Sequence, residues 1–155
     1  MKFTSPEEYG LRCLLRIARD GKDHGLTIPE ISKTEGISEA YTAKLLRILR
    51  LGGFLESSRG QTGGYTLSRK PEEIKISDVL NILGGRLYDD DFCSTYTGEM
   101  KICTNSVDCS IRSLWQLIQY SVDNAISKIT LMDLISSGEN QITRLLNKDG
   151  QPIKI

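Results

Sequence analysis

Cys93, Cys103 and Cys109 are separated by nine and five residues, and thiolates brought together from such a stretch are ligands for soft or borderline metals. Tetrahedral zinc and an iron-sulfur cluster both accept sulfur donors, so the spacing alone leaves zinc, a cluster and a metal-free loop all open. The fourth cysteine, Cys13, falls in an apolar helical stripe with Leu11, Leu14, Leu15 and Ile17, where a thiol packs as a small hydrophobe. With no secretory leader in view the thiols are expected to stay reduced, which argues against a disulfide framework. The chain shows no Cys-x-x-Cys pair, no nucleophile with a histidine base and no phosphate-cradling glycine loop at a strand-helix junction, so it reads as a non-enzyme. His24, the only histidine, lies in a glycine-flanked loop and reads as a solvated residue.

These thiols need a scaffold, and 155 residues suffice for one domain with an appended dimerisation element. Twenty basic residues balance twenty acidic ones, so any surface for a polyanion must be local. Lys44, Arg47, Arg50, Arg59, Arg69 and Lys70 gather in one third of the chain, away from Asp89, Asp90 and Asp91. The run Leu11 to Ala18 is broken by Arg12 and Arg16, well short of the roughly 18 apolar residues a membrane helix needs, and the chain reads as soluble and cytoplasmic.

Ser5 as N-cap, Pro6 at the first helical position and Glu8 three residues after the cap predict a first helix ending near Gly21. Thr27 with Glu30 closes a second capping box for a short helix that stops at Gly36. Ser38 caps a third, about Glu39 to Leu51, with Tyr41, Leu45, Ile48 and Leu49 on one face and Thr42, Lys44, Arg47 and Arg50 largely away from it. A short helix, a glycine turn and a basic amphipathic helix make a helix-turn-helix, whose second helix fits the major groove of double-stranded DNA. Thr27, Ser38, Ala40, Tyr41, Lys44 and Arg47 are its candidate contacts.

Phe54 to Ser58 and Tyr65 to Ser68 are β-compatible runs joined by a glycine-rich turn, which predicts a hairpin wing. Ser58, Arg59, Gly60, Gln61, Gly63, Gly64 and Tyr65 are placed there for phosphate or minor-groove contact. The bland alternative is a protein-interaction module with a solvated charged face. It leaves unexplained an arginine and three glycines at one hairpin tip directly after a basic helix.

Ser77 is expected to cap a helix over Asp78 to Leu83, ended by Gly84 and Gly85. Some twenty-five residues without periodicity follow, long enough to require something that organises them, and they hold the three clustered cysteines. Ile111, Trp115, Ile118, Val122, Ala125 and Ile129 then alternate steps of four and three, as the seam of a helix that pairs with a second copy does. Thr130 caps a short helix through Ile135, and Ile142, Leu145 and Leu146 suggest one more. The expected organisation is mainly α with a small β-hairpin: a winged helix-turn-helix DNA-binding domain (1–84), a cysteine loop (85–109), a dimerisation helix with a short follower (110–137) and a tail (138–155).

Met1-Lys2-Phe3-Thr4, the stretch Ile31 to Ser38, the wing Arg59-Gly60-x-x-Gly63-Gly64-Tyr65-x-Leu67 and Cys109-x-x-Arg112-x-Leu114-Trp115 resemble the IscR, NsrR and RirA regulators, the Rrf-two family, over residues 1 to 137. The resemblance implies a homodimeric transcription regulator on palindromic DNA whose iron-sulfur cluster, 2Fe-2S or 4Fe-4S, is held by Cys93, Cys103 and Cys109 and reports iron, cluster supply, nitric oxide or redox state. The best-known members place a histidine three residues after the last cysteine. Here that residue is Arg112, which has no free lone pair to offer a metal. Nitric-oxide-sensing members carry a carboxylate at the place of Glu8, donated across the dimer, which makes Glu8 the implied fourth ligand; Glu7, Asp108 and an exogenous ligand are alternatives, and a cap is Glu8's other role.

Overall fold

The computed structural model describes residues 3–21, 24–58, 63–99 and 101–136. Arg59, Gly60 and Gln61 of the wing tip and the tail from 138 onward lie outside them, as does any helix around Leu145.

Helix α1 spans Ser5–Asp20, and its cap sits one residue earlier than expected: Thr4 is the N-cap, and its N–H and hydroxyl donate to the Glu7 carboxylate at 2.6 and 2.9 Å. Glu7 therefore does the work assigned to Glu8, which is left exposed on the first turn. Helix α2, Ile28–Glu35, and helix α3, Glu39–Leu51, begin at the expected caps Thr27 and Ser38. Gly36 makes the turn between them at φ +69°, where a Cβ would be strained, and the Ser32 hydroxyl fixes the turn by donating to the Ile37 carbonyl at 2.6 Å.

Leu14, Ile17, Ile31, Leu45, Leu46, Leu49 and Val79 fill the core between α1, α2, α3 and the helix that carries Val79, each aliphatic side chain contributing roughly 1.5–3 kcal/mol by leaving water. Thr42, expected on the outer face of α3, is fully buried, because its hydroxyl returns to the Ser38 carbonyl at 2.9 Å and so needs no solvent. Strands β1, Leu55–Ser57, and β2, Tyr65–Leu67, pair antiparallel with Glu56 opposite Thr66. Leu26 adds a backbone bridge to Tyr65, with N–H to carbonyl distances of 3.0 and 2.8 Å.

Helix α4 covers Ile76–Leu83 with Lys75 as N-cap, two residues ahead of the expected Ser77. It packs so closely on α1 that a Cβ at Gly10 would collide with Leu83. The described residues between 86 and 109 are irregular apart from the single turn α5, Phe92–Thr95. Helix α6 runs Ser110–Ile126, and α7, Leu131–Ser136, starts at Thr130, which exchanges hydrogen bonds with Asp133. Between them the chain returns to the winged unit, where Ile76 N–H donates to the Ile129 carbonyl (3.0 Å) and Leu131 N–H to the Ile74 carbonyl (2.8 Å). Ile129 and Leu131 thereby join the core, so packing runs across the line drawn at residue 84. No described helix is long and apolar enough to cross a membrane.

Candidate functional site

Helix α3 carries Lys44, Arg47 and Arg50 exposed along one side, with Ser38 and Ala40 exposed at its start. Tyr41 is half-buried, its ring edge-on to Tyr9 at 6.1 Å, so it braces α3 on α1 as well as facing outward. Thr27 spends its hydroxyl on the α2 cap, exchanging hydrogen bonds with Glu30. In the wing, Ser58 is exposed and Gly63 half-buried, whereas Gly64 is buried against the backbone of His24 and Leu26, which leaves no room for a side chain. Tyr65 is half-buried in its bridge to Leu26. Gly64 and Tyr65 thus hold the wing to the body.

An ion cluster absent from the sequence reading sets the helix-turn-helix on α1. Glu35, only 8% exposed at the end of α2, accepts from Arg12 Nε and Arg16 Nε at 2.8 Å each, and Arg12 also donates to the Glu35 carbonyl at 2.9 Å. Burial pushes the Glu35 carboxyl up, but the hydrogen bonds and charges of Arg16 and Arg12 outweigh it and hold it below the ordinary glutamate value. Arg12 lies over the Tyr9 ring at 5.2 Å, so this cluster continues through Tyr9 to Tyr41 on α3. Cys13, packed beside it, is pushed up to about 11 by burial first and by Glu35 next, which keeps it a neutral thiol.

The other three cysteines are half-buried in the loop ahead of α6. Cys93 lies on α5 with the Tyr88 hydroxyl 3.8 Å from its sulfur, and Phe92 beside it stacks with Tyr88, Tyr96 and Trp115. Cys109 is the N-cap of α6, its sulfur accepting the Arg112 N–H at 3.3 Å. The start of the loop is latched to α6: Tyr88 N–H donates to buried Gln119 at 3.1 Å, Gln119 donates to Asp123 at 2.8 Å, and Arg86 pairs with Asp123.

Half-buried sulfurs beside a guanidinium and a helix N-terminus suit thiolate ligands in kind. Among the described residues no three thiol, carboxylate or imidazole groups of one chain converge at metal-binding distance. The three thiols are thus not drawn to one point within the chain, and Glu8, on α1, joins no such group among the described residues.

Of the expected seam, Ile111 is exposed, Ala125 is exposed and Ile118 is half-buried. Trp115 turns partly toward Phe92, Val122 lines a groove of about 370 Å³ between α1, α4 and α6, and Ile129 is buried beyond the helix end, so these three face their own chain. Leu114 (50% exposed), Leu117 (60%) and Tyr120 (64%) are apolar or aromatic residues also left exposed on α6, beside Ile111 of the expected seam.

A helix-turn-helix with an exposed basic second helix and a hairpin wing defines a DNA-binding transcription regulator of the winged-helix class. The family model described as "Rrf2: Iron-dependent Transcriptional regulator" matches residues 3–137, and the chain belongs to the Rrf2 family. It is 33% identical over 135 residues to "Protein rrf2" of Nitratidesulfovibrio vulgaris, with 87% of each chain covered. With the "HTH-type transcriptional regulator IscR" of Aliivibrio salmonicida it shares 28% identity over 141 residues, covering 91% of this chain and 81% of the relative. Among solved structures it is similar to T. potens IscR (27% identity, TM-score 0.67, 87% and 86% of the two chains) and to CymR, the global cysteine regulator of B. subtilis (26%, TM-score 0.66, 90% and 99%). The family model and the IscR and CymR relatives are named as regulators, which places the chain among regulators rather than enzymes.

Proposed function

We propose that the chain works as a homodimer on a two-fold operator and that an iron-sulfur cluster on Cys93, Cys103 and Cys109, with Glu8 donated across the dimer, sets its DNA affinity. The observation that carries this reading is the placement of all three thiols in one loop that is tied to α6 at both ends, through Gln119 and Asp123 at its start and through Cys109 at its finish. When bound, the cluster supplies a centre sensitive to iron, cluster supply, nitric oxide or redox state. The chain's own part is mechanical. Drawing Cys103 toward Cys93 and Cys109 shortens the loop between its ties, and the Arg86–Asp123 latch carries that change to the face of α6 and so to the spacing of two recognition helices. The released position of Glu8, free of the α1 cap, supports its ligand role.

The apolar face of α6 supports the dimer. Leu117→Glu is expected to weaken self-association by at least about 30-fold, equal to about 2 kcal/mol at a buried interface position, measured by sedimentation equilibrium. An unchanged assembly state would place the dimer contact elsewhere. DNA contact through α3 is expected to show in salt dependence: Lys44→Ala or Arg47→Ala lowers the slope of log affinity against log salt by about 1 each, and an unaltered slope would remove that residue from the phosphate contacts.

A second reading, a cluster-free or zinc-stabilised regulator answering a small molecule or partner protein, is favoured by the groove lined by Phe3, Leu80, Leu87, Val122 and Ile126 and by the likeness to CymR. Iron, zinc and acid-labile sulfide assays on anaerobically purified protein decide between the two. Iron and sulfide in matching amounts support the cluster; their absence, with zinc or no metal, hands the chain to the second reading.

A further inference from the structure

Two neighbouring side chains of α1 reach both helices of the helix-turn-helix. Arg12 holds the end of α2: its Nε donates to the Glu35 carboxylate at 2.8 Å and its Nη2 to the Glu35 carbonyl at 2.9 Å. Tyr9, its ring centroid 5.2 Å from the Arg12 guanidinium, meets Tyr41 of α3 with ring centroids 6.1 Å apart and planes at 82°. Edge-to-face rings and a cation over a ring favour particular angles, which plain apolar contact does not, so this pair fixes how α3 is seated as well as burying it. The other end of the brace is rigid, since α1 packs on α4 so closely that a Cβ at Gly10 would collide with Leu83. Arg16 donates to Glu35 separately at 2.8 Å, so a change at Arg12 does not leave that buried carboxylate without a cation.

The seat of α3 matters more for one kind of DNA contact than for the other. Hydrogen bonds to base edges weaken steeply with errors of angle, and the start of a recognition helix makes them. Phosphate contacts through long, flexible side chains tolerate such errors and carry no sequence information. We propose that Tyr9 and Arg12 are positioning residues for sequence selectivity: without touching DNA, they set the angle at which α3, through Tyr41, presents its first turns to the bases.

The proposal rests on α3 as the helix that enters the major groove and not on any metal. In the test, wild-type protein selects duplexes from a random-sequence pool. Affinities for one selected duplex and one unrelated duplex of equal length are then measured by fluorescence anisotropy, with all proteins at equal metal content and one salt concentration. Tyr9→Leu is expected to lower the ratio of the two affinities about tenfold, through the selected duplex alone, which is the readout of about one base pair. Tyr9→Phe, which keeps the ring, stays within about twofold of wild type. Arg12→Met lowers the ratio as well, and the double variant loses no more than the worse single one, because both act through one contact. Far-UV circular dichroism confirms that the variants fold. A wild-type ratio in Tyr9→Leu, an equal drop on both duplexes, a Tyr9→Phe as poor as Tyr9→Leu, or additive losses in the double variant overturns the proposal. Lys44→Ala and Arg47→Ala without effect on either duplex, or a pool that shows no enrichment, overturns instead the reading of α3 on which the proposal stands.

Discussion

Replacing both Arg12 and Arg16 with methionine is expected to lower the folding free energy by about 3–5 kcal/mol, because it leaves the Glu35 carboxylate buried with no cation. Replacing Glu35 itself with methionine is expected to lose less, about 1–2 kcal/mol, since the arginines it abandons are 41% and 34% exposed and water takes up their charge. The asymmetry follows from which partner is out of water. Urea titration of the variants measures it; equal losses would mean the cluster is a surface contact. The same cluster fixes an acid dependence. The Glu35 carboxyl is held below its ordinary value of 4.5 in the folded chain, so its contribution is present above that value and lost as pH falls through the lower folded value. Wild type should therefore lose stability more steeply than Glu35→Met on acidification below about 4.5.

A serine at Cys103 is expected to abolish cluster loading and to fix the chain in one DNA-binding state. A serine hydroxyl stays protonated where a thiolate ionises, so it does not replace the sulfur as a ligand. Cys103 is the most telling of the three positions because no hydrogen bond among the described residues rests on its sulfur, whereas Cys109 also caps α6 and Cys93 also contacts Tyr88. Its loss should thus leave melting behaviour unchanged while removing the visible absorbance. Allosteric coupling of about 1–3 kcal/mol corresponds to a 5–150-fold change in operator affinity between the two states. If Cys103→Ser protein still loads iron and sulfide to the wild-type level, the ligand set is wrong.

Caps and turns were the part of the fold most legible in the sequence. Thr27-x-x-Glu30 and Ser38 start α2 and α3 where the side-chain chemistry says they should, and Gly36 turns between them. The start of α1 was degenerate: Thr4 with Glu7 and Ser5 with Glu8 are equally good capping boxes read locally. The choice is tertiary, since the Glu7 side chain lies over Gly84, where any Cβ would collide with it. The return of residues 129–131 to the core had no side-chain signal, because it is made by backbone hydrogen bonds to Ile74 and Ile76. Likewise the Arg12–Glu35–Arg16 cluster joins residues 19 to 23 positions apart, beyond any local pattern.

The candidate site divides in the same way. The basic face of α3 and the clustering of Cys93, Cys103 and Cys109 in an aperiodic loop are properties of composition and spacing and could be read directly. The contacts of Arg112 could not: the sequence showed only that it is no metal ligand, and its hydrogen bonds to Cys109 and Ser106 needed coordinates. Along α6 the apolar pattern mixes residues packed on the chain's own loop, such as Trp115, with residues left exposed, such as Leu117, and spacing alone does not separate the two.

Operator affinity of wild-type protein, measured anaerobically at one fixed salt concentration with the cluster loaded and after its removal, tests the central claim most directly. The account predicts a difference of 5–150-fold between the two preparations, with Cys103→Ser protein matching the cluster-free one. Identical affinities for loaded and cluster-free protein would contradict it.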